Sequence, residues 1–261
     1  IGDVKDAVRV KQVMAEHNPS VLFHAAAYKH VPLMETDNPW QAIRNNVSGT
    51  HVVATIAIAH KVEKFVLIST DKAVAPKTVM GQSKALCEWI VEAYGALPDV
   101  QTRFVAVRFG NVLASSGSFV ELMQERIARG QSVVLTDPDA YRYFMALSEA
   151  VSLVMKVALA GRSGAYWLDM GQQLQMGPFA SRLMAIMETR GARPVPIDVV
   201  GLRPGEKLVE ELPDAVTGDL PTPHARIRSG EEVRWSRARA ASVLTALRRA
   251  VEEIGFHQDF F

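Results

Sequence analysis

Short apolar runs alternate with longer helical patterns along this chain, and this alternation constrains the fold more than any other feature. Runs rich in Val, Ile, Leu and Phe cover residues 20–26, 64–69 and 103–109. Such runs are typical of strands that are buried on both faces of a parallel sheet and connected by helices. The sequence therefore predicts an α/β fold built from βα units around a mostly parallel sheet.

Helical patterns fill the intervals between these runs. A proline at a first helical position, Pro39, opens a predicted helix over residues 39–61. Further predicted helices cover residues 78–94, 118–129, 148–160, 178–191 and 236–254, and further predicted strands cover residues 132–135 and 165–169. The proline-rich stretch between residue 193 and the last helix is predicted to be irregular.

Composition excludes several classes of function. The 29 Lys+Arg and 28 Asp+Glu leave a formal charge of +1, with no long block of like charges, so we predict no nucleic-acid binding. A single cysteine, Cys87, excludes an internal disulfide and favours a reducing compartment. No apolar run reaches the roughly 18–20 residues that a bilayer requires, so we predict no direct membrane contact by this chain. The seven histidines show no metal-binding spacing, and we predict no metal.

The most informative segment follows the second predicted strand. Residues 69–72 read Ser-Thr-Asp-Lys, and Met80 and Lys84 lie four residues apart on the next helix, where they share a face. Sheets of this class bind ligands at the carboxyl ends of their strands. The same residues would also fit a turn with solvated charges, so position alone leaves both interpretations open.

These residues resemble the extended short-chain dehydrogenase/reductase superfamily, specifically the nucleotide-sugar 4,6-dehydratases of polysaccharide biosynthesis. That family carries Ser/Thr, then Asp-Lys, then Tyr-x-x-x-Lys. The resemblance covers most of the chain up to about residue 212, through motifs at residues 24–35, 45–50, 108–117 and 203–207. Met80 replaces the family's tyrosine, as in the long membrane-anchored dehydratases.

The resemblance implies a Rossmann-like, doubly wound parallel sheet. The chain has no G-x-G-x-x-G motif and starts Ile1-Gly2-Asp3, so we expect an N-terminally truncated fold without its first strands and Gly-rich turn. We predict a truncated dinucleotide-binding domain at residues 1–135 and a smaller, mainly substrate-binding part at residues 136–261, from which residues 148–170 return to the sheet. A parent protein of the membrane-anchored type would hold its catalytic part in the cytoplasm, attached to the inner membrane by a preceding region.

The resemblance also assigns catalytic roles. It makes Lys72 the base that removes the C5 proton of the sugar and Asp71 the acid that protonates the departing C6 hydroxyl. A lysine can act as a base only if burial or a nearby cation lowers its pKa, and Lys84 could be that cation. Because an adjacent ionised Asp71 would oppose this, we expect Asp71 and Lys72 to point in different directions.

Methionine at position 80 leaves one proton transfer unassigned. A thioether cannot take the proton of the C4 hydroxyl, which is the role of the family's tyrosine. Three alternatives remain open at this point: Thr70, Ser69, or a water held by Lys84 could relay that proton.

The resemblance further implies a cofactor, NADP or NAD, and a UDP-N-acetyl-hexosamine substrate. The predicted cofactor-binding residues are Asp3, Ala25, Ala26, Ala27, Lys29, Ser69 and Lys84. The predicted substrate-binding residues are Asn111, Arg142, Arg203 and Glu206. Because an arginine fork suits a diphosphate, Arg203 is assigned to that group, and Glu206 is assigned to the uridine ribose. A homo-oligomer is also expected.

Three functions are compatible with these features. The first is a UDP-N-acetylglucosamine 4,6-dehydratase. The second is a UDP-sugar 4-epimerase, which normally needs the missing tyrosine and has no use for the Asp-Lys pair. The third is an inactive nucleotide-sugar-binding module, favoured by Met80 and the missing Gly-rich turn and opposed by the retained Asp71, Lys72, Lys84 and Arg203.

Overall fold

A computed structural model describes residues 1–36, 38–113, 115, 117–160, 162–212, 220–230 and 236–258. The first elements are α1 (Ala7–His17), β1 (Val21–His24), α2 (Val31–Glu35), α3 (Pro39–Ala42), a π-helical segment (Ile43–Ser48), α4 (Gly49–Ala59), β2 (Lys64–Ile68), a 3-10 turn (Asp71–Ala73), α5 (Val79–Gly95) and β3 (Arg103–Arg108). The next are β4 (Asn111–Val112), α6 (Phe119–Ala128), β5 (Val133–Leu135), β6 (Tyr141–Arg142), β7 (Phe144–Met145), α7 (Leu147–Ala160) and β8 (Gly164–Leu168). The last are β9 (Leu174–Gln175), α8 (Met176–Glu188), β10 (Ile197–Val199), β11 (Leu220–Pro221), β12 (Ile227–Ser229) and α9 (Arg237–Gln258).

The main sheet has the strand order β1-β2-β3-β8-β12-β11. The first four strands are parallel, with Phe65 of β2 level with Leu22 of β1 and Phe104 of β3. The last two strands run antiparallel to their neighbours. The predicted α/β, Rossmann-like class is confirmed, whereas the prediction that the chain is irregular from residue 193 to the last helix is wrong at β10, β11 and β12.

The two faces of the sheet are covered by different helices. Alternate residues of a strand point to opposite faces. Phe65 and Phe104 pack beneath α4, α5 and α9, whereas Val66 and Val105 pack beneath α7. The sheet is therefore buried on both sides, which accounts for the continuous apolar runs of β2 and β3 in the sequence.

Side-chain caps fix where several helices begin. Asp6, Thr78 and Ser118 precede α1, α5 and α6, and each side-chain oxygen accepts a hydrogen bond from a backbone N–H of the first turn. Thr78 thereby sets the start of α5, the helix that carries Met80 and Lys84. The predicted helix at 39–61 is interrupted by the π-helical segment, a feature that often accompanies functional sites.

A third apolar core lies outside the main sheet. It joins α6 and α8 to the parallel pair of β5 and β10, with Met123, Leu135 and Met184 at its centre. Strand β8 returns from this region to pair with β3, and α9 packs on α5. The division of the chain at residues 135 and 136 stays a prediction.

Candidate active site

The segment after β2 is held rigidly at the carboxyl end of the sheet. The backbone N–H of Ser69 donates to the carbonyl of Val107 (2.8 Å), and that of Asp71 donates to the carbonyl of Phe109 (3.2 Å). Thr70 caps the 3-10 turn, because its Oγ1 accepts a hydrogen bond from the backbone N–H of Lys72 (3.3 Å). These bonds fix the backbone that carries the predicted acid and base.

Asp71 and Lys72 form a direct ion pair. Nζ of Lys72 lies 3.0 Å from Oδ1 of Asp71, and the same oxygen accepts a hydrogen bond from Oγ1 of Thr70 at 2.8 Å. The expectation that the two side chains point in different directions is therefore wrong. Asp71 is fully buried, and pairing is the arrangement that offsets the cost of placing a carboxylate there.

The surroundings of Lys72 raise its pKa. Burial acts to lower the pKa of Lys72, but attraction by the carboxylates of Asp71 and Glu210 outweighs burial and raises the pKa above its usual value. The cation that opposes this rise is Arg142. The lowered pKa expected of a base is therefore not found at Lys72 in this arrangement, and the neighbouring cation that acts on Lys72 is Arg142, where Lys84 was expected.

Lys84 and Met80 are both buried on α5. Nζ of Lys84 donates a hydrogen bond to the carbonyl of Ile68 at the end of β2 (2.6 Å), and burial lowers the pKa of Lys84. Met80 packs in a small apolar cluster with Met34 and Ala42. Lys84 therefore lies at the end of the strand that leads to the Asp71–Lys72 pair, whereas Met80 contributes apolar packing.

A buried ion pair lies behind this site. Arg108, the last residue of β3, donates to Glu88 of α5 through Nε (3.0 Å) and Nη2 (2.7 Å). The hydroxyl of Ser69 donates to the same carboxylate at 2.5 Å. Glu88 thus ties the ends of two strands to one helix, and the hydroxyl of Ser69, predicted to contact the cofactor, is held by Glu88.

Two of the predicted substrate-binding residues contact each other. Nη2 of Arg142 lies 2.9 Å from Oε1 of Glu206, which also accepts a hydrogen bond from Thr136. Arg203 is exposed, and its backbone N–H donates to Oε2 of Glu206 at 3.3 Å. The structure therefore brings Arg142, Arg203 and Glu206 to one place.

The turn that carries Arg203 and Glu206 docks on the loop that follows Lys72. Lys207 donates to the carbonyl of Val74 (2.7 Å). Gly205 has φ of +76°, and a Cβ there would lie 2.6 Å from the carbonyl oxygen of Lys77. Only glycine combines this backbone conformation with so close an approach, which explains the Pro-Gly sequence between Arg203 and Glu206.

Glu210 belongs to the site and was missed by the sequence reasoning. Its side chain is 4% exposed, and Oε1 lies 3.8 Å from Nζ of Lys72. Burial raises the pKa of Glu210, and the attraction of Lys72 opposes that rise. Residues 210 and 211 are both glutamates, and the sequence carries no signal that distinguishes the buried Glu210 from the exposed Glu211.

Asn111 lies close to this group through its backbone. It begins β4, and its N–H donates to the carbonyl of Tyr143 (3.0 Å), next to Arg142. The preceding Gly110 allows close packing, because a Cβ there would lie 3.1 Å from Oδ2 of Asp71. Residues 114 and 116 of the predicted 108–117 motif lie outside the described residues.

The predicted cofactor residues near β1 lie on an open surface. Ala25 and Ala26 are exposed just after the strand and line, together with Asp3, a cleft of about 310 Å³. Hydrogen bonds from Lys5 lower the pKa of Asp3. Ala27 and Lys29 follow in the same loop, which Asn46 fixes by accepting from the N–H of Tyr28 at 2.7 Å and donating to its carbonyl.

The described residues hold neither a cluster of metal-binding side chains nor a helix that could cross a membrane. Among them there is no group of three or more His, Cys, Asp and Glu side chains that could hold a metal ion. Within the same part of the chain, no helix combines the length and the apolar character needed to cross a bilayer.

Comparison with known proteins agrees with this geometry. The sequence profile of the family described as "Polysaccharide biosynthesis protein" matches residues 1–230. The chain belongs to this family. The capsular polysaccharide biosynthesis protein CapD of Staphylococcus aureus is 45% identical over 213 residues, which are 81% of this chain and 35% of CapD. This chain therefore spans about a third of the length of that relative in the polysaccharide biosynthesis family.

Relatives with other names share the same region. A UDP-glucose 4-epimerase of Rickettsia canadensis is 37% identical over 81% of this chain and 60% of its own length. The X-ray structure of Pen from Bacillus thuringiensis superposes with a TM-score of 0.81 at 30% identity, covering 91% of this chain and 73% of Pen. The polysaccharide biosynthesis family is thus similar to proteins of more than one named activity, and the resemblance seen in the sequence is confirmed at the level of the family.

Proposed function

We propose that this chain is the catalytic part of a UDP-N-acetylglucosamine 4,6-dehydratase that uses NAD or NADP. One observation carries the proposal: a buried carboxylate and an amine, Asp71 and Lys72, are paired at the carboxyl end of β2. Oδ2 of Asp71 has no hydrogen-bond partner among the described residues. A buried oxygen of this kind needs a donor, and a sugar hydroxyl supplies one.

The elimination of water needs an acid and a base side by side. With Lys72 as the neutral amine, the C5–H bond breaks as its Nζ takes the proton, the electron pair forms the C5–C6 double bond, and the C6–O bond breaks as Asp71 protonates the leaving hydroxyl. Lys72 then returns its proton to C5 when C6 is reduced. The dinucleotide, when bound, supplies the oxidation at C4 and the matching reduction at C6. An epimerase has no step that requires this pair.

The proton of the C4 hydroxyl must also reach Asp71, because Asp71 gives up one proton in each turnover. Thr70 offers a route, since its Oγ1 donates to Oδ1 of Asp71 at 2.8 Å. A hydroxyl can pass a proton from the sugar oxygen to the carboxylate, which a methionine cannot do. We therefore assign the relay to Thr70 and not to Ser69, whose hydroxyl is bonded to Glu88.

The residues present fit the cofactor and the nucleotide. The exposed Ala25 and Ala26 leave the end of β1 open, and the carboxylate of Asp3 at the same cleft can accept hydrogen bonds from a dinucleotide. Arg203, which is exposed, provides guanidinium donors for a diphosphate, whereas the guanidinium of Arg142 is bonded to Glu206 and to the carbonyls of Tyr141 and Leu208. The homo-oligomer, the cytoplasmic location and the membrane-anchored parent stay predictions.

A 4-epimerase is the second candidate, favoured by the Rickettsia relatives that carry this name. The two functions differ in their products. The full-length protein is incubated with UDP-N-acetylglucosamine in heavy water, and the products are analysed by mass spectrometry and NMR. A dehydratase yields a product that has lost one water and carries deuterium at C5. A UDP-N-acetylgalactosamine product without loss of water would refute the dehydratase.

The base is tested by a matched pair of variants. Lys72→Ala is expected to abolish the loss of water, because catalysis by a base contributes roughly 100-fold or more to the rate. The affinity for UDP is expected to stay within about twofold of the wild type. Lys77→Ala removes an exposed lysine from the same loop and is expected to behave as the wild type. Near-normal turnover by Lys72→Ala would show that Lys72 is not the base.

A further inference from the structure

Glu210 is buried in a position that its local contacts do not explain. Oε2 has no hydrogen-bond partner among the described residues, and Oε1 faces Nζ of Lys72 at 3.8 Å, which is a charge contact without a hydrogen bond. A glutamate buried only to support the fold would have both oxygens bonded. The burial of the Glu210 carboxylate therefore indicates a role other than support of the fold.

The charges around Glu210 come from several elements. Asp71 and Lys72 belong to the 3-10 turn, Arg142 to β6, and Lys207 to the turn that docks on the loop after Lys72; each of them acts on Glu210. Lys72 lies between two carboxylates, one of which is its hydrogen-bond partner, Asp71. Asp71 is assigned to the leaving hydroxyl and is neutral while it holds the proton for that group, so until it gives up this proton Glu210 is the carboxylate that faces the charge forming on Lys72.

We propose that Glu210 is a positioning residue whose carboxylate holds the amine of Lys72 at the end of β2 and stabilises the ammonium ion that forms when Lys72 takes the C5 proton. This inference rests on the proposed dehydratase function. A fixed negative charge that faces a developing positive charge in a buried site lowers the barrier of that step. The logic is that of the buried aspartate that orients and stabilises the histidine of a Ser-His-Asp triad.

The first experiment measures the basicity of Lys72 without any turnover. Competitive acetylation of the full-length protein across a range of pH, followed by mass spectrometry of the peptide that contains Lys72, gives the pKa of that amine. Glu210→Gln preserves the shape of the side chain and removes its charge, so the pKa of Lys72 is expected to fall. Glu211→Gln, the same change at the exposed neighbour, is the control and is expected to leave it unchanged. An equal pKa in wild type and Glu210→Gln would overturn the inference.

The second experiment follows dehydration of UDP-N-acetylglucosamine by the same proteins. Glu210→Gln is expected to lower kcat by about tenfold or more, to shift the acidic limb of the kcat profile to lower pH, and to leave the affinity for UDP within about twofold. Glu210→Asp, which keeps the charge, is expected to restore part of the pH shift. An unmoved acidic limb in Glu210→Gln would overturn the inference, whereas an inactive wild type would refute the dehydratase function and leave the acetylation result to decide on Glu210.

Discussion

Breaking the buried pair of Glu88 and Arg108 by changing one partner should remove a large share of the stability of this chain. Both side chains are almost completely buried, and Arg108 donates to Glu88 at 2.7 Å through Nη2 and at 3.0 Å through Nε. Removing one partner of a buried pair costs about 3–5 kcal/mol, because the other charge stays in a medium of low polarity. Total stabilities of domains are only about 5–15 kcal/mol, so this loss is measurable in a simple unfolding experiment.

The assay is urea unfolding of the wild type, Glu88→Gln, Glu88→Met, Arg108→Met and the double variant Glu88→Met/Arg108→Met. Each single variant is expected to lose about 3 kcal/mol of unfolding free energy or more. The double variant is expected to lose less than either single variant, because two apolar side chains leave no charge buried. Ser69→Ala serves as the control for the third hydrogen bond to Glu88 and is expected to lose about 1 kcal/mol.

Two results of these unfolding experiments would refute the reasoning. If the two single losses simply add in the double variant, the side chains do not interact energetically, and the distances between them have no bearing on stability. If Glu88→Gln loses less than about 1 kcal/mol, burial of the pair cannot have the assumed cost.

Two further predictions concern stability and the nucleotide site. Burial, with a smaller contribution from Lys84, lowers the pKa of His24 to about 4. In the unfolded chain this histidine has its ordinary pKa of about 6.5 and binds a proton more readily. The unfolding free energy should therefore fall as the pH decreases from about 6.5 to 4, with a loss of about 2 kcal/mol between pH 7 and pH 5. His24→Gln should remove this pH dependence in urea unfolding. Gly205→Ala should cost more than about 1 kcal/mol and weaken UDP binding in calorimetry, because its Cβ meets the carbonyl of Lys77. Gly191→Ala, with φ of +89° but open space around it, separates strain from contact and should leave UDP binding unchanged.

Strands that are buried on both faces could be predicted from the sequence. The runs that form β2 and β3 are apolar throughout because helices cover both sides of them, and this burial leaves a continuous pattern. By contrast, β12 comprises only Ile227–Ser229 at the far side of the sheet. Three residues with one buried side chain provide no periodicity, so their pairing with β8 could not be predicted.

The same limit applies to the candidate site. The motif at residues 69–72 locates the acid and base, but the direction of the Lys72 side chain depends on partners from other elements. Glu210 and Arg142 reach Lys72 from distant parts of the sequence, and no local sequence pattern predicts that they lie near it. The side chains of adjacent residues on a turn can point toward each other when the fold places a second charge beside them. This explains why the prediction that Asp71 and Lys72 point in different directions is wrong.

The hydrogen bond between Nζ of Lys72 and Oδ1 of Asp71 has one more consequence. If a single proton moves along it, the ammonium and carboxylate become a neutral amine and a carboxylic acid, which are the two forms that an elimination requires. The net charge of the pair is the same before and after this transfer. In the proposed enzyme, readiness for catalysis therefore depends on the difference between two proton affinities, and the pair releases one proton to the solvent for each proton that Thr70 relays from the C4 hydroxyl and regains it at the end of the turnover.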